Sequence, residues 1–332
     1  MKKILVPGGT GAMGVYLIPK LLKMGYKVDV ISRDDWVSDN PNLKYIVADA
    51  KDYNYIENIL KNDYDAVVDF MIYPTMEMME KFLPLYLSNT GHYFYFSTYR
   101  VYANEEHPVK ETSPRLLDVS KDEILLNRGD YSIFKAQGEE WLKKSGFDNW
   151  TVVRPAITYS KRRFQLVTME YDLVLRRMIE GKKVIVPQKA LNVQATMSWA
   201  GDVAEMLTRL VLNKVAYSET YSVCTAEHHS WEDVAKIYNK IGGLEYIPVS
   251  TEDYLDVFAN GEEWAKYQLI ADRYFDRIMD NSKILNATGM KQSELMPLEK
   301  GLALEYERFP KDFVWNDTPA YVRMEEYLKN KS

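Results

Sequence analysis

The stretch Lys3-Ile4-Leu5-Val6-Pro7-Gly8-Gly9-Thr10-Gly11-Ala12-Met13-Gly14 decides the fold. Lys3 to Val6 is a short apolar, β-forming run, and Met13 to Met24 carries apolar residues at helical spacing, so Gly8, Gly11 and Gly14 fall between a strand and a helix. In that context each glycine has a task. Gly8 permits a tight turn, Gly11 lets backbone N–H groups approach a pyrophosphate, and Gly14 allows close helix packing, while the helix N-terminus adds positive partial charge. With Thr10, Ala12 and Met13 they form a candidate phosphate cradle. Met1-Lys2-Lys3 also looks like the start of a signal peptide, but Pro7-Gly8-Gly9 ends the apolar run short of the roughly 7 to 15 residues such a segment needs.

The same alternation continues outward. Strands are expected at Lys27 to Ile31, Lys44 to Val47, Ala66 to Phe70, His92 to Phe96 and Trp150 to Val153, and helices at Tyr53 to Lys61, Met76 to Asn89 and Tyr131 to Lys144. Repeated βαβ units with right-handed crossovers build a mainly parallel sheet covered by helices on both faces, a doubly wound (Rossmann) α/β fold. Beyond Arg154 the pattern loosens into helices around Leu166 to Glu180, Asp202 to Leu212 and Trp231 to Ile241, with strands at Lys183 to Val186 and Thr220 to Val223. Residues 1–160 are therefore expected to form the dinucleotide-binding core. Residues 161–332 are expected to complete the sheet and build a smaller substrate-covering part. No internal repeat, low-complexity tract or flexible linker interrupts the chain.

Bulk composition narrows the function classes. A chain of 332 residues exceeds what one average core organises, and 46% hydrophobic with 27% charged residues is ordinary for a globular enzyme. No run approaches the roughly 18 apolar residues of a membrane span, so a soluble protein without a membrane partner is expected. The single cysteine, Cys224, forms no internal disulfide, and with four histidines it offers no zinc cluster, which suits a reducing cytoplasm and no metal. A net charge of −6 repels nucleic-acid phosphate, and Lys161-Arg162-Arg163 is the one short basic run, so no nucleic-acid partner is expected.

Ribose recognition should come from the end of the second strand, about 20 residues past the glycines. There the chain reads Val30-Ile31-Ser32-Arg33. A hydroxyl and a guanidinium favour a 2′-phosphate and hence NADP over NAD, although Asp34 and Asp35 follow and suit the NAD ribose. Asp49, with Ala50 beside it, is a candidate for adenine, a solvated loop aspartate being the alternative. Asp69 and Met71 would face the cofactor at the carboxyl end of the fourth strand.

Tyr131-Ser132-Ile133-Phe134-Lys135 sets a phenol and an ammonium at i and i+4, on one helix face. A nearby Lys⁺ and a positive nicotinamide ring would favour the tyrosinate and draw its pKa from about 10 toward neutrality, fitting it to exchange a proton with a substrate hydroxyl. Lys135 would also hold the nicotinamide ribose. Phe96-Ser97-Thr98-Tyr99-Arg100-Val101-Tyr102 places hydroxyls at a strand end, where one can polarise a carbonyl or alkoxide.

The glycine motif, the Ser97-Thr98 strand end and Tyr131/Lys135 resemble the extended short-chain dehydrogenase/reductase family, specifically its NAD-dependent epimerase/dehydratase branch. Trp199-Ala200-Gly201-Asp202-Val203-Ala204 is similar to that family's late helix-starting segment. Asp280-Asn281-Ser282-Lys283, Gly289 and Leu298-Glu299-Lys300-Gly301 resemble its C-terminal signature. The resemblance implies Thr98 in the Ser/Thr role with Ser97 as fallback, Tyr131 as the proton-transfer residue and Lys135 as its partner. It also implies a dimer through helices of the sheet flank, as is common in that family. Departures bear on the substrate. The family's dehydratases carry an acidic pair directly after the threonine, where this chain has Tyr99 and Arg100, so dehydration is not expected. Nucleotide-sugar epimerases of the family carry an asparagine and an arginine where this chain has Ile157 and Ala195. Arg162, Arg163, Arg273 or Arg277 would have to bind a diphosphate in their place.

These readings converge on an NAD(P)-dependent enzyme acting on a sugar hydroxyl or ketone, foremost a nucleotide-sugar epimerase. An NADPH-dependent reductase of a non-nucleotide carbonyl compound is the alternative. A non-catalytic cofactor-sensing or RNA-associated protein is a third reading, because fold does not guarantee chemistry. Tyr99, Arg154 and Tyr159 are the candidate substrate residues. His107 in its loop is expected to be solvated, His228-His229 to lie in a helix-capping region, and Trp231 to pack its helix onto the sheet.

Overall fold

The computed structural model describes residues 1–331. Seven strands form the central sheet: β1 (Lys3–Pro7), β2 (Lys27–Ser32), β3 (Leu43–Val47), β4 (Ala66–Asp69), β5 (Tyr93–Phe96), β6 (Trp150–Pro155) and β7 (Glu219–Val223). Their order is β7-β6-β5-β4-β1-β2-β3, every pair parallel, with Leu5 in register with Asp29 on one side and Val67 on the other. Strands so enclosed must be apolar on both faces, and β4, β5 and β6 are buried along their whole length. The order reverses between β1 and β4, which puts a crevice at the carboxyl ends of those strands.

Two apolar layers hold the sheet. On one face Leu17, Ile18 and Leu21 of the Gly14–Lys23 helix meet Val203, Leu207 and Leu210 of the Ala200–Leu210 helix. On the other, Ile56, Leu83, Tyr86, Phe134 and Leu142 come from the Tyr53–Leu60, Met76–Ser88 and Tyr131–Lys144 helices. Capping sets where the Tyr131–Lys144 helix starts: the Asp130 side chain accepts from the backbone N–H of Ser132, so helical geometry begins at Tyr131.

The second half of the chain supplies β7 and builds its own core around Tyr159, Leu175, Trp231, Tyr238 and Tyr254. Trp231 is thus buried in this second core. Two short parallel pairs, Ile157–Tyr159 with Met197–Trp199 and Val184–Pro187 with Tyr246–Val249, brace it. The helix expected from Leu166 starts only at Tyr171, because Leu166 and Met169 exchange backbone hydrogen bonds across a turn that holds Val167 at φ 55°. Ser230, not the histidines before it, caps the Trp231–Gly242 helix, and His229 pairs with Glu227 at 2.8 Å. Helices at Thr251–Ala259, Glu263–Gln268, Ser282–Thr288, Leu298–Arg308 and Pro319–Lys329 follow, for which the sequence reading assigned no elements. Among the described residues no helix is long and apolar enough to cross a membrane.

Candidate active site

At the crevice the glycine loop turns from β1 into the Gly14–Lys23 helix. Gly8 adopts φ 71°, a left-handed conformation that strains any side chain, and a Cβ there would also press on Phe70 and Met71. A Cβ on Gly14 would be driven into the carbonyl oxygen of Gly9. Gly11 differs, since a Cβ there would meet only the Gly8 oxygen at 3.7 Å, so packing within the chain does not demand glycine at that position. The backbone N–H groups of Ala12, Met13 and Gly14 donate to no partner among the described residues, and the helix carries no side-chain cap. Orphan donors at a helix N-terminus suit a phosphate, so the loop fits the dinucleotide that its motif implies. A cavity of about 700 Å³ opens against Gly11 and Ala12, with Arg162 on its border.

At the end of β2, Thr10 Oγ1 and Ser32 Oγ lie 2.8 Å apart and Ser32 also accepts from the Asp34 N–H. Arg33 is exposed and makes no hydrogen bond or ion pair among the described residues. Arg162 donates to the Thr10 carbonyl at 3.0 Å and lies over the Trp36 ring, joining the second half of the chain to the glycine loop. Asp49 is exposed and turns back to the Lys51 N–H, and Ala50 is buried in the core. Met71 borders Gly8. Asp69 does not face the crevice freely: it accepts from Tyr73, Tyr93 and the Met71 N–H, and burial raises its pKa against those hydrogen bonds.

A cleft of about 360 Å³ joins the glycine-loop side, through Met13, to Thr98, Arg100, Tyr131, Lys135 and Arg273. Thr98 lies two residues past the end of β5 and caps the short turn Tyr99–Val101 by accepting from the Arg100 N–H. Lys135 is buried, donates to the Phe96 carbonyl at 2.6 Å, and lies 5.8 Å from the Tyr131 ring centroid. Burial lowers its pKa to about 8, with Asp69 and Glu139 opposing. The pKa of Tyr131 moves opposite to the expectation: in the chain's own field burial raises it, with Arg100 and Arg163 opposing.

Beneath this set lies a buried polar network that corrects the reading of Arg154. Its Nε and Nη2 grip Glu139 at 2.8 and 2.5 Å, and a third nitrogen donates to the Glu111 carbonyl. Arg154 is 1% exposed and does not line the cleft. Arg115 reaches the same carboxylate at 3.1 Å, and Ser97 donates to it at 2.5 Å, so the fallback hydroxyl is already committed. Burial works to raise the Glu139 carboxyl, but Arg154, Ser97 and Arg115 outweigh it and hold it below the ordinary value. Tyr159 also leaves the list of cleft residues: it is fully buried, packed where a Cβ on Gly301 would collide with it. Glu139 had a signal in the sequence, since it follows Lys135 by one helical turn on the same face.

The cleft wall opposite is basic. Tyr99 contributes to it, but its hydroxyl contacts Asp272 at 3.2 Å and Arg273 at 2.6 Å. Arg163 lines the cleft, with its Nε 3.7 Å from Glu170. Ile157 also lines it and Ala195 is buried, so neither position offers a polar group to a diphosphate. His107 is exposed.

The family described as the NAD dependent epimerase/dehydratase family matches residues 4–224. UDP-glucose 4-epimerase of Thermotoga maritima, solved with UDP-glucose, is 19% identical with a TM-score of 0.67, covering 92% of this chain and 97% of that one. UDP-glucuronic acid 4-epimerase of Bacillus cereus, solved with UDP-glucuronic acid and NAD, is 17% identical with a TM-score of 0.69, covering 92% and 98%. At these identities the likeness is one of fold. The chloroplast stem-loop binding protein of 41 kDa b of Arabidopsis thaliana is 22% identical over 264 residues, 73% of this chain. The chain spans 64% of that relative's length.

Proposed function

The chain belongs to the NAD dependent epimerase/dehydratase family, an enzyme family of the extended short-chain dehydrogenase/reductase type, and we propose that it acts on a sugar hydroxyl or ketone, foremost as a nucleotide-sugar epimerase. The observation that carries this reading is the convergence of Thr98, Tyr131 and Lys135 on one cleft that reaches the glycine loop through Met13. Gly8, Gly11, Gly14 and the orphan N–H groups of Ala12 and Met13 would hold the pyrophosphate of the dinucleotide. When bound, the dinucleotide supplies a hydride acceptor and donor. Tyr131 takes the proton of the reacting hydroxyl and returns it, and the Thr98 hydroxyl donates a hydrogen bond to the oxygen as it gains charge. Lys135, with one proton engaged on Phe96, holds positive charge beside the phenol and favours its ionised form. Ser32 and the unpaired Arg33 support NADP over NAD, with Arg162 as a second guanidinium near that end.

A plain NADPH-dependent reductase of a non-nucleotide carbonyl compound is the second reading, favoured by the apolar, buried Ile157 and Ala195. A stem-loop-binding role of the kind named in the Arabidopsis relative is less well supported, because the chain carries a net charge of −6. Mass spectrometry of small molecules released from freshly purified, denatured protein, with NADH and NADPH titrations of the apo-protein and of Arg33→Ala, separates the readings. Released NAD with tighter NADH binding supports an internal oxidation and reduction cycle and removes the role given to Arg33. NADPH preference that Arg33→Ala abolishes, with no released NAD, favours the reductase. Binding of neither nucleotide refutes the proposal.

A further inference from the structure

The basic wall of the cleft is built around one carboxylate with too few negative charges. Asp272 is fully buried and takes an ion pair from Arg273, another from Arg277 at 3.3 Å and a third from Arg100 at 3.3 Å. Buried guanidiniums in excess of their carboxylates carry a desolvation cost that an anionic partner would offset. The Arg100 Nε and the Arg277 Nη2 are buried 3.3 Å from Asp272 without forming a hydrogen bond among the described residues, so each holds that carboxylate by charge alone. Arg273, by contrast, is committed to Tyr99, Asp272 and the Val167 carbonyl.

Arg100 and Arg273 both line the cleft, and of the two Arg100 is the one whose guanidinium is not already hydrogen-bonded. Its side chain keeps 15% exposure, and among the described residues its guanidinium donates no hydrogen bond, since its contacts with Asp272 and with Asp130 at 4.0 Å are ion pairs only. It sits two residues past Thr98, and its guanidinium carbon lies 5.3 Å from the centroid of the Tyr131 ring. A group bound there is only a few bonds from an oxygen that exchanges a proton with Tyr131. Guanidinium recognises planar carboxylate through two parallel N–H donors.

We propose that Arg100 receives a substrate carboxylate carried within a few bonds of the reacting carbon, so that the substrate class is a sugar acid rather than a neutral sugar. This rests on Tyr131 and Thr98 marking the reacting end of the cleft. Arg100 is then a specificity-determining residue, and Arg273 and Arg277 hold Asp272 so that Arg100 keeps its donors for the ligand.

Calorimetric titration with two matched pairs, UDP-glucuronic acid against UDP-glucose and glucuronate against glucose, tests this on the wild type and on Arg100→Met. In the wild type the acid of at least one pair binds about tenfold or more tightly than its neutral partner, the scale of a charge-assisted hydrogen bond. In Arg100→Met that ratio falls to about one while NADH binding is unchanged, and Arg100→Lys, which keeps the charge without the fork, falls between. Equal binding of acid and neutral partners, no binding of either pair, or an acid preference that survives in Arg100→Met overturns the inference. Normal NADH binding with no acid preference overturns this inference alone, whereas loss of nucleotide binding in the wild type strikes the parent reading. Melting curves of both variants guard against misfolding, and two guanidiniums remain on Asp272 in each.

Discussion

Arg154→Met is the perturbation that separates a substrate residue from a buried strut. The wild-type guanidinium satisfies two oxygens of a fully buried Glu139, and methionine of similar length removes that charge while filling much of the space. Breaking a buried pair by deleting one partner costs about 3 to 5 kcal/mol, and Arg115 and Ser97 still hold Glu139, so the low end, about 3 kcal/mol, applies. With an unfolding entropy of about 2 cal/mol/K per residue, a chain of 332 residues loses about 0.7 kcal/mol of stability per degree near its midpoint. The expected drop in Tm is therefore about 4 °C by differential scanning calorimetry at neutral pH. The pH dependence carries a sign as well. Because Glu139 is held below the ordinary carboxyl range, its contribution is fully present above the unfolded value and is lost as pH falls through the folded one. The wild-type advantage over Arg154→Met should accordingly shrink in acid. The double variant Arg154→Met/Glu139→Leu should be less destabilised than the two single effects added together. A variant that melts within a degree of wild type while raising KM refutes the assignment and returns Arg154 to the substrate.

Other outcomes follow from the cleft. Tyr131→Phe should lower kcat by about 10² to 10⁴ with NADH affinity unchanged in a binding titration, and retained turnover would remove the phenol from proton transfer. Lys135→Met should flatten the alkaline side of the stability profile. Burial lowers the folded pKa of Lys135 to about 8, so the unfolded chain binds the extra proton between that pH and the ordinary lysine value of 10.5, and wild-type stability rises with pH across that window. Parallel denaturation profiles for the two proteins would contradict that assignment. Gly11→Ala should weaken NADH about tenfold without changing Tm, because the chain leaves room for the methyl and only a ligand needs the space. Gly14→Ala should lower both, because its Cβ meets the Gly9 carbonyl, and equal behaviour of the two variants would show that Gly11 is not a contact surface.

The doubly wound sheet was legible because its signals are local. β1 through β6 and the helices between them have apolar periodicity matched to their geometry, and observed boundaries fall within a residue or two of those read from the pattern. The glycine loop and the Tyr131/Lys135 pair were legible for the same reason, since each lies within one turn or one helix. The helices after Ile241 lack that uniform stripe. They pack on one another and on short strand pairs, and their faces are set by contacts across the chain.

What local pattern alone determined, then, is the α/β class, the phosphate cradle and a phenol beside an amine on one helix face. Tertiary structure decided everything that depends on which charges share a buried space. Arg154 meets Glu139 from a different element, and Arg100 shares Asp272, more than 170 residues away in the chain, with Arg273 and Arg277. A carboxylate's pKa and an arginine's freedom to bind a ligand depend on desolvation and on partners within a few ångströms. Spacing along the chain carries no information about either once the partners lie on different elements. That is why Arg154 moved from the cleft to the core, and why Arg100 stands beside Tyr131 with a guanidinium that donates no hydrogen bond among the described residues.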